Sequence, residues 1–225
     1  MLLHRILLDP RCKEVRRDLS NPYDLHSTLC RAFSAPDSKC PEGAFLWRLE
    51  PETGADALPK LLIQSDVSPI WKRIGVPGWF GAAPDPAVDL TVRLRLDQIQ
   101  VGQKFRFRLR ANPCVVKEKR RQGLLRTEDQ ERWIARKAEA HGFALPTLAS
   151  FDLIEGDEMR PVVRITQEQM LRGKRRDGTQ ISVFSVLYDG ILVVADVNLF
   201  RQSIADGIGH GKAMGLGLLS VVPVA

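Results

Sequence analysis

The chain contains no Cys-x-x-Cys pair, no low-complexity tract and no apolar run long enough to span a membrane. Its four cysteines, Cys12, Cys30, Cys40 and Cys114, are scattered. Such spacing excludes the common zinc signatures and reads as a reduced, cytoplasmic protein rather than a disulfide framework. Met1–Leu8 is too short and too interrupted for a secretory signal. The most apolar stretch, 213–225, falls short of the roughly 20 residues a spanning helix needs, so no membrane partner is expected. Both common nucleotide-binding glycine spacings are missing as well. Residues 207–217 hold five glycines and one lysine, yet Asp206 occupies the first glycine position of a P-loop and Ala213 follows Lys212. Lys212 likewise stands where G-x-G-x-x-G requires its third glycine. The stretch therefore reads either as a turn between a helix and a buried strand or as an anion site in which backbone N–H groups converge beside Lys212.

At 225 residues the chain suits one large domain or two small ones, and 44% hydrophobic with 27% charged residues is ordinary for a globular protein. The net charge of +6 is concentrated. Residues 101–140 carry 12 Lys/Arg against 5 Asp/Glu, and the remainder of the chain is close to neutral. A localised basic segment points to a polyanionic partner, with a solvated face as the alternative.

Leu2–Leu8 reads as a buried strand ended by Asp9-Pro10, and residues 11–20 as a loop. Asn21-Pro22 opens a helix, with Asn as N-cap and Pro at the first helical position. Leu25, Leu29, Ala32 and Phe33 form its apolar stripe, and Tyr23, His26, Cys30 and Ser34 line the adjoining side. Phe45–Leu49, Leu58–Ile63 and Leu90–Leu96 are expected as strands, and Ser65–Pro86 as a short helix followed by an irregular loop. Residues 105–110 alternate strictly. Phe105, Phe107 and Leu109 face a core, while Arg106, Arg108 and Arg110 face away. Three arginines on one sheet face repel each other unless solvent or an anion separates them, and a nucleic-acid backbone fits that role.

Lys117–Arg126 reads as a basic linker, and a helix capped by Thr127 follows. Val162–Thr166 and Ile181–Tyr188 are strand-like, with a basic hairpin tip, Arg172, Lys174, Arg175 and Arg176, closed by Asp177-Gly178. A second turn is expected at Asp189-Gly190, then a short helix over 196–206 with Leu199, Phe200 and Ile204 inward, and a last strand over 216–222. The element order suggests an α+β protein of two sandwiches, each an antiparallel sheet with helices on one face.

Three segments together resemble the CasE family of CRISPR repeat-processing endoribonucleases, subunits of the type I-E Cascade complex. They are Asn21-Pro22-Tyr23-Asp24-Leu25-His26, the arginine strand through Asn112-Pro113, and the glycine stretch through Ser220. The resemblance runs over almost the whole chain and is weakest at Pro51–Pro86. It implies tandem ferredoxin-like (RRM-like) domains, over residues 1–112 and 127–225 with the basic linker 113–126 between them. It also implies cleavage of a hairpin in precursor CRISPR RNA without a metal or other cofactor, giving a 2′,3′-cyclic phosphate and a 5′-hydroxyl. The enzyme would then stay bound to the mature CRISPR RNA beside the other Cascade subunits.

On this resemblance His26 is the catalytic histidine and Tyr23 its helper. The basic hairpin enters the RNA stem, and the glycine stretch forms the glycine-rich loop. Taken alone, His26 reads as a partly buried helix residue, and its imidazole can act as base or acid near neutral pH. Lys212, with Gly209, Gly211 and Gly215, is the candidate phosphate holder, and Arg31 and Ser34 are further candidates. The competing function is a non-catalytic subunit that binds an RNA hairpin. The geometric expectation is that His26 and Lys212, far apart in the chain, lie close in space.

Overall fold

The computed structural model describes residues 1–51, 57–148, 160–175 and 177–224. Among them the chain forms β1 (Leu2–Leu7), α1 (Lys13–Ser20), α2 (Pro22–Phe33), β2 (Phe45–Leu49), β3 (Lys60–Ser65), β4 (Val88–Asp89) and α3 (Leu90–Arg93). It continues through β5 (Lys104–Ala111), β6 (Cys114–Lys117), β7 (Arg120–Gly123), α4 (Thr127–Ala140), β8 (Phe143–Ala144), β9 (Thr147–Leu148) and β10 (Arg160–Pro161). It ends with β11 (Val163–Lys174), β12 (Gln180–Val194), α5 (Val197–Asp206) and β13 (Leu219–Pro223). No helix among the described residues is long and apolar enough to cross a membrane.

Two antiparallel sheets carry the architecture, one ordered β2-β3-β1-β4 and the other β11-β12-β5-β13, with β8 also pairing β12. In each, the first strand of the unit lies between the third and the fourth. This is the strand order of a ferredoxin-like fold, so the chain is a tandem pair of such units. In the first unit α2 makes the first crossover, and a single 3-10 turn, Trp71–Ile74, stands near the place of the second helix. In the second unit α4 and α5 make the crossovers.

The division differs from a boundary at 112. β5 pairs with β12 and β13, so the arginine strand opens the second unit rather than closing the first. Leu90, Leu94, Leu96 and Ile99 pack into that second core with Phe105, Phe107 and Leu109. The first core gathers Ile6, Leu25, Leu29, Ala32, Trp47 and Ile63.

Four local expectations change for identifiable reasons. Residues 13–20 are helical because Val15 and Asp18 are buried, and Asp18 accepts the indole N–H of fully buried Trp79 at 2.9 Å. Buried Val15, half-buried Leu19 and a buried carboxylate leave too sparse a stripe to read as a helix. Residues 90–93 turn helical because Asp89 caps the Thr91 N–H at 2.8 Å, and the alternation from Leu90 to Leu96 leaves Val92 in solvent. The basic linker is a hairpin, β6–β7, whose tip holds Glu118 and Lys119 at φ 48° and 63°. Neither is a usual residue for that left-handed turn, which hides it from sequence. Asp189-Gly190 lies inside the continuous strand β12, where Asp189 is held by Arg108 at 2.7 Å. Two smaller differences concern single residues. Arg126 rather than Thr127 precedes α4 as its cap residue, and Leu199 is exposed.

The arginines of β5 do not form an open face. Arg106 is exposed, Arg108 bridges Glu50 at 2.9 Å and Asp189 at 2.7 Å, and Arg110 is buried against Gln167 and Ser185. Carboxylates and amides of the protein, rather than a nucleic-acid backbone, separate the cations at Arg108 and Arg110.

Behind them lies Arg48 of β2, 1% exposed. Its guanidinium donates to Glu50 at 2.7 Å, to the backbone carbonyls of Arg108 (3.2 Å) and Leu218 (3.0 Å), and to the Ser220 hydroxyl (3.0 Å). One side chain of the first unit thus reaches both β5 and β13 in the second. Removing Glu50 would leave that buried charge without its counter-ion. Glu50→Ala is expected to lower unfolding free energy by about 3–5 kcal/mol in urea denaturation. A loss under about 1 kcal/mol would mean that the charge is solvated after all.

Candidate functional site

The site begins at a helix cap. The side-chain oxygen of Asn21 accepts the Tyr23 N–H at 3.2 Å, which opens α2 as the Asn-Pro pair predicts. The same amide also grips the β11–β12 hairpin. It accepts the Lys174 N–H at 3.2 Å and donates to the Lys174 carbonyl at 3.1 Å. One side chain therefore starts the helix of the first unit and fixes the basic hairpin of the second against it.

Tyr23 fills the angle between them. Its ring lies so close to Gly173 that a Cβ there would stand 2.6 Å from Tyr23 Cδ2, and the Arg175 guanidinium sits 5.5 Å from the ring centroid. Strand alternation puts Gly173 and Arg175 on the Tyr23 side and leaves Arg172 and Lys174 exposed on the other.

His26 follows one turn later. Its ring packs on Phe45 with centroids 5.1 Å apart, and Phe45 stacks on Phe33 at 4.6 Å. Nε2 lies 3.7 Å from Cys30 Sγ, and Nδ1 is buried with no hydrogen-bond partner. Burial disfavours the charged ring and holds the His26 pKa below its ordinary value of 6.5.

Lys212 reaches the same place from the other end of the chain. It opens a 3-10 turn, Lys212–Met214, set between Gly211 and Gly215 in left-handed conformation at φ 87° and 77°. A Cβ on Gly215 would also stand 2.7 Å from the Trp47 ring, so this turn is held down on the first unit by a close approach that only glycine permits. α2 packs against the turn.

The result is a cleft of about 830 Å³ lined by Tyr23, His26, Cys30, Arg175, Lys212, Ala213 and the segment from Lys39 to Phe45. The expected proximity of His26 and Lys212 is met. Other candidates stand elsewhere. Gly209 lies near the Trp133 ring, at 3.7 Å from where its Cβ would be, and Gly211 and Gly215 shape the turn rather than face the cleft. Arg31 donates to the Ile74 carbonyl at 3.2 Å, and the Ser34 hydroxyl is turned back to the Cys30 carbonyl at 2.9 Å. Arg106, Arg108 and Arg110 lie on β5, away from the lining, and Arg176 is outside the described residues.

Sequence reasoning placed Cys30 beside His26 through the four-residue spacing. It missed Lys39 and the loop to Ala44, which have no periodic signal, and it saw Asn21 only as a cap. No group of three or more His, Cys, Asp or Glu side chains that could hold a metal ion occurs among the described residues.

Chemically, the cleft sets an imidazole whose burial disfavours its charge beside a phenol, three cations (Lys39, Arg175 and Lys212) and one carboxylate, Glu42. Two ferredoxin-like units meet at this cleft, with a histidine and cations between them. Comparison with known proteins gives the family. Residues 1–223 match the model described as CRISPR associated protein. The CRISPR-associated endoribonuclease Cse3 of Thermus thermophilus is 36% identical over 99% of this chain and 100% of its own. A structure of Thermus thermophilus Cse3 bound to an RNA representing a pre-cleavage complex superposes with a TM-score of 0.80 at 34% identity, covering 99% of this chain and 98% of that one. The crystal structure of Cas6e from Escherichia coli K-12 shares the fold, with a TM-score of 0.63 at 22% identity over 100% of both chains. This chain belongs to the CRISPR-associated protein family, in the CasE branch that includes Cse3.

Because Asn21 serves both helix and hairpin, Asn21→Ala is expected to cost about 1 kcal/mol or somewhat more in thermal or urea unfolding. It should also raise amide exchange at Lys174. Unchanged exchange there would show that the hairpin is held by other contacts.

Proposed function

We propose that this protein is an endoribonuclease that cuts a hairpin in precursor CRISPR repeat RNA by attack of a 2′-hydroxyl on the adjacent phosphate. No metal takes part in this reading, the products are a 2′,3′-cyclic phosphate and a 5′-hydroxyl, and the protein stays on the mature RNA. The observation that carries it is the meeting of His26, Tyr23, Arg175 and Lys212 at one cleft, from three distant parts of the chain. The names of its relatives agree: an endoribonuclease, and a structure with RNA before cleavage. A relative at 25% identity is part of a CRISPR RNA-guided surveillance complex, which supports other Cascade subunits as partners. Four free cysteines support a cytoplasmic setting.

In this mechanism neutral His26 takes the proton of the 2′-hydroxyl. The oxygen attacks phosphorus, the bond to the 5′-oxygen breaks, and that oxygen receives a proton from the imidazolium or from water. Lys212 and Arg175 offset the charge that builds on the phosphoryl oxygens. The Tyr23 hydroxyl donates a hydrogen bond that orients the ribose or the phosphate. The exposed Arg172 and Lys174 engage phosphates of the RNA stem, since the A-form major groove is too deep and narrow for extensive base reading.

The His26 base role sets the sign of the pH dependence. Protonation removes the lone pair that accepts the 2′-proton, and burial lowers the pKa. The kcat/KM profile should therefore rise with pH along an acidic limb centred below 6.5 and be level by neutrality. A limb that falls with rising pH over that range would make His26 the acid instead.

His26→Ala is expected to bind the cognate hairpin normally and cut it about 10²–10⁴-fold more slowly. Equal cutting by both proteins would remove His26 from the mechanism. Wild-type cleavage should persist in EDTA, and intact RNA despite proven binding there would favour a non-catalytic RNA-binding subunit. Neutralising Arg172, Lys174, Arg175 and Arg176 should weaken hairpin binding and flatten its salt dependence. An unchanged slope would remove them from the interface.

A further inference from the structure

Beyond Lys212, on the second unit, lies another groove of about 470 Å³. Its apolar lining comes from half-buried Val115, exposed Val116 and the edge of buried Trp133, and Arg121, Arg136 and Lys137 set cations beside them. The Lys137 ammonium stands 5.8 Å from the Trp133 ring centroid. No Asp or Glu is among the described residues that line it. The groove ends at Gly209 and His210, two residues before the Lys212 of the catalytic cleft. Burial, then the fields of Arg121, Lys137 and Lys212, lower the pKa of His210, which puts Lys212 within electrostatic reach of both sites. The β6–β7 hairpin that forms one wall is net cationic, with Lys117, Lys119 and Arg120 beside Arg121 and one carboxylate, Glu118, at its tip.

We propose that this groove holds an unpaired nucleotide of the RNA strand flanking the hairpin, adjacent to the phosphate that reacts at His26. The proposal rests on the reading of the cleft as the RNA-cleaving site. Apolar side chains set beside cations match a base lying on the former with its phosphate at the latter. A paired stem matches it poorly, because its bases are stacked inside the helix and only its backbone could meet so narrow a groove. The basic hairpin at Arg172–Arg175 stands on the other side of Tyr23 and serves the stem, which leaves this groove for the strand that continues past it.

The test compares three RNAs in a non-cutting His26→Ala background: the bare hairpin, the hairpin with an unpaired 5′ extension, and the hairpin with an unpaired 3′ extension. One extension should tighten binding about tenfold over the bare hairpin. Combining Arg121→Ala, Arg136→Ala and Lys137→Ala should abolish that gain and leave the bare hairpin within about twofold. It should also reduce the salt slope on the extended RNA by about 2, from three cations at roughly 0.7 each on a single strand. The extension that shows the gain identifies the side of the hairpin. Should the triple variant be unstable, Arg136→Glu alone is expected to show the same selective loss. No gain from either extension, or an equal loss for bare and extended RNA, would overturn the proposal. Failure of the parent protein to bind even the bare hairpin would instead overturn the reading of the cleft.

Discussion

A buried guanidinium holds the two units together. Arg48 has almost no exposure, and it spends its donors on Glu50 and on groups of the second unit. An unpaired charge in that position would be costly, so the arrangement that satisfies it is strongly preferred over neighbouring ones. The amide of Gln64 adds a bond across the same junction, to the Ile204 carbonyl at 2.6 Å. The cleft depends on this junction, because one wall comes from α2 of the first unit and the other from the hairpin and glycine turn of the second.

Fine positioning is left to smaller devices. Asn21 ties the first turn of α2 to the backbone of the hairpin, and the missing side chain of Gly173 lets the Tyr23 ring come down on that strand. The glycine stretch acts in the same way. Its glycines bend the chain and let it lie against Trp47, which presents Lys212 to the cleft. The lysine side chain reaches the cleft, and the glycines supply its placement. Two basic features then flank the histidine, the β11–β12 hairpin beside Tyr23 and the β6–β7 groove beyond Lys212.

Much of this was legible where the signal is local. The Asn-Pro start of α2, its apolar stripe, the alternation of β5 and the Asp177-Gly178 turn appear in the structure as their residue types dictate. Expectations failed where a local pattern has two physical outcomes. Leu90–Leu96 alternates like a strand, but an Asp cap and burial at a spacing of four make its start a helix turn. Asp189-Gly190 has the composition of a turn, but Arg108 and the partner strand β5 hold it extended. The β6–β7 tip lacks the usual turn residues altogether.

The sequence by itself determined the two-unit α+β plan, the family, the helix that carries Tyr23 and His26, and the presence of an excess of cations. The family follows from the resemblance of three segments, and the rest from periodicity, capping and composition, which act over a few residues and leave their mark in order along the chain. Only the tertiary structure decided which cations are available. Arg108 and Arg110 look equivalent to Arg106, but pairing with Glu50, Asp189, Gln167 and Ser185 withdraws them into the junction. The meeting of His26 with Lys212 and Arg175 was likewise decided in space, because residues from opposite ends of the chain become neighbours only when two sheets dock. Burial of the imidazole, which lowers its pKa, likewise comes from packing between segments, since the ring lies on Phe45 of β2 as well as beside Cys30 of its own helix.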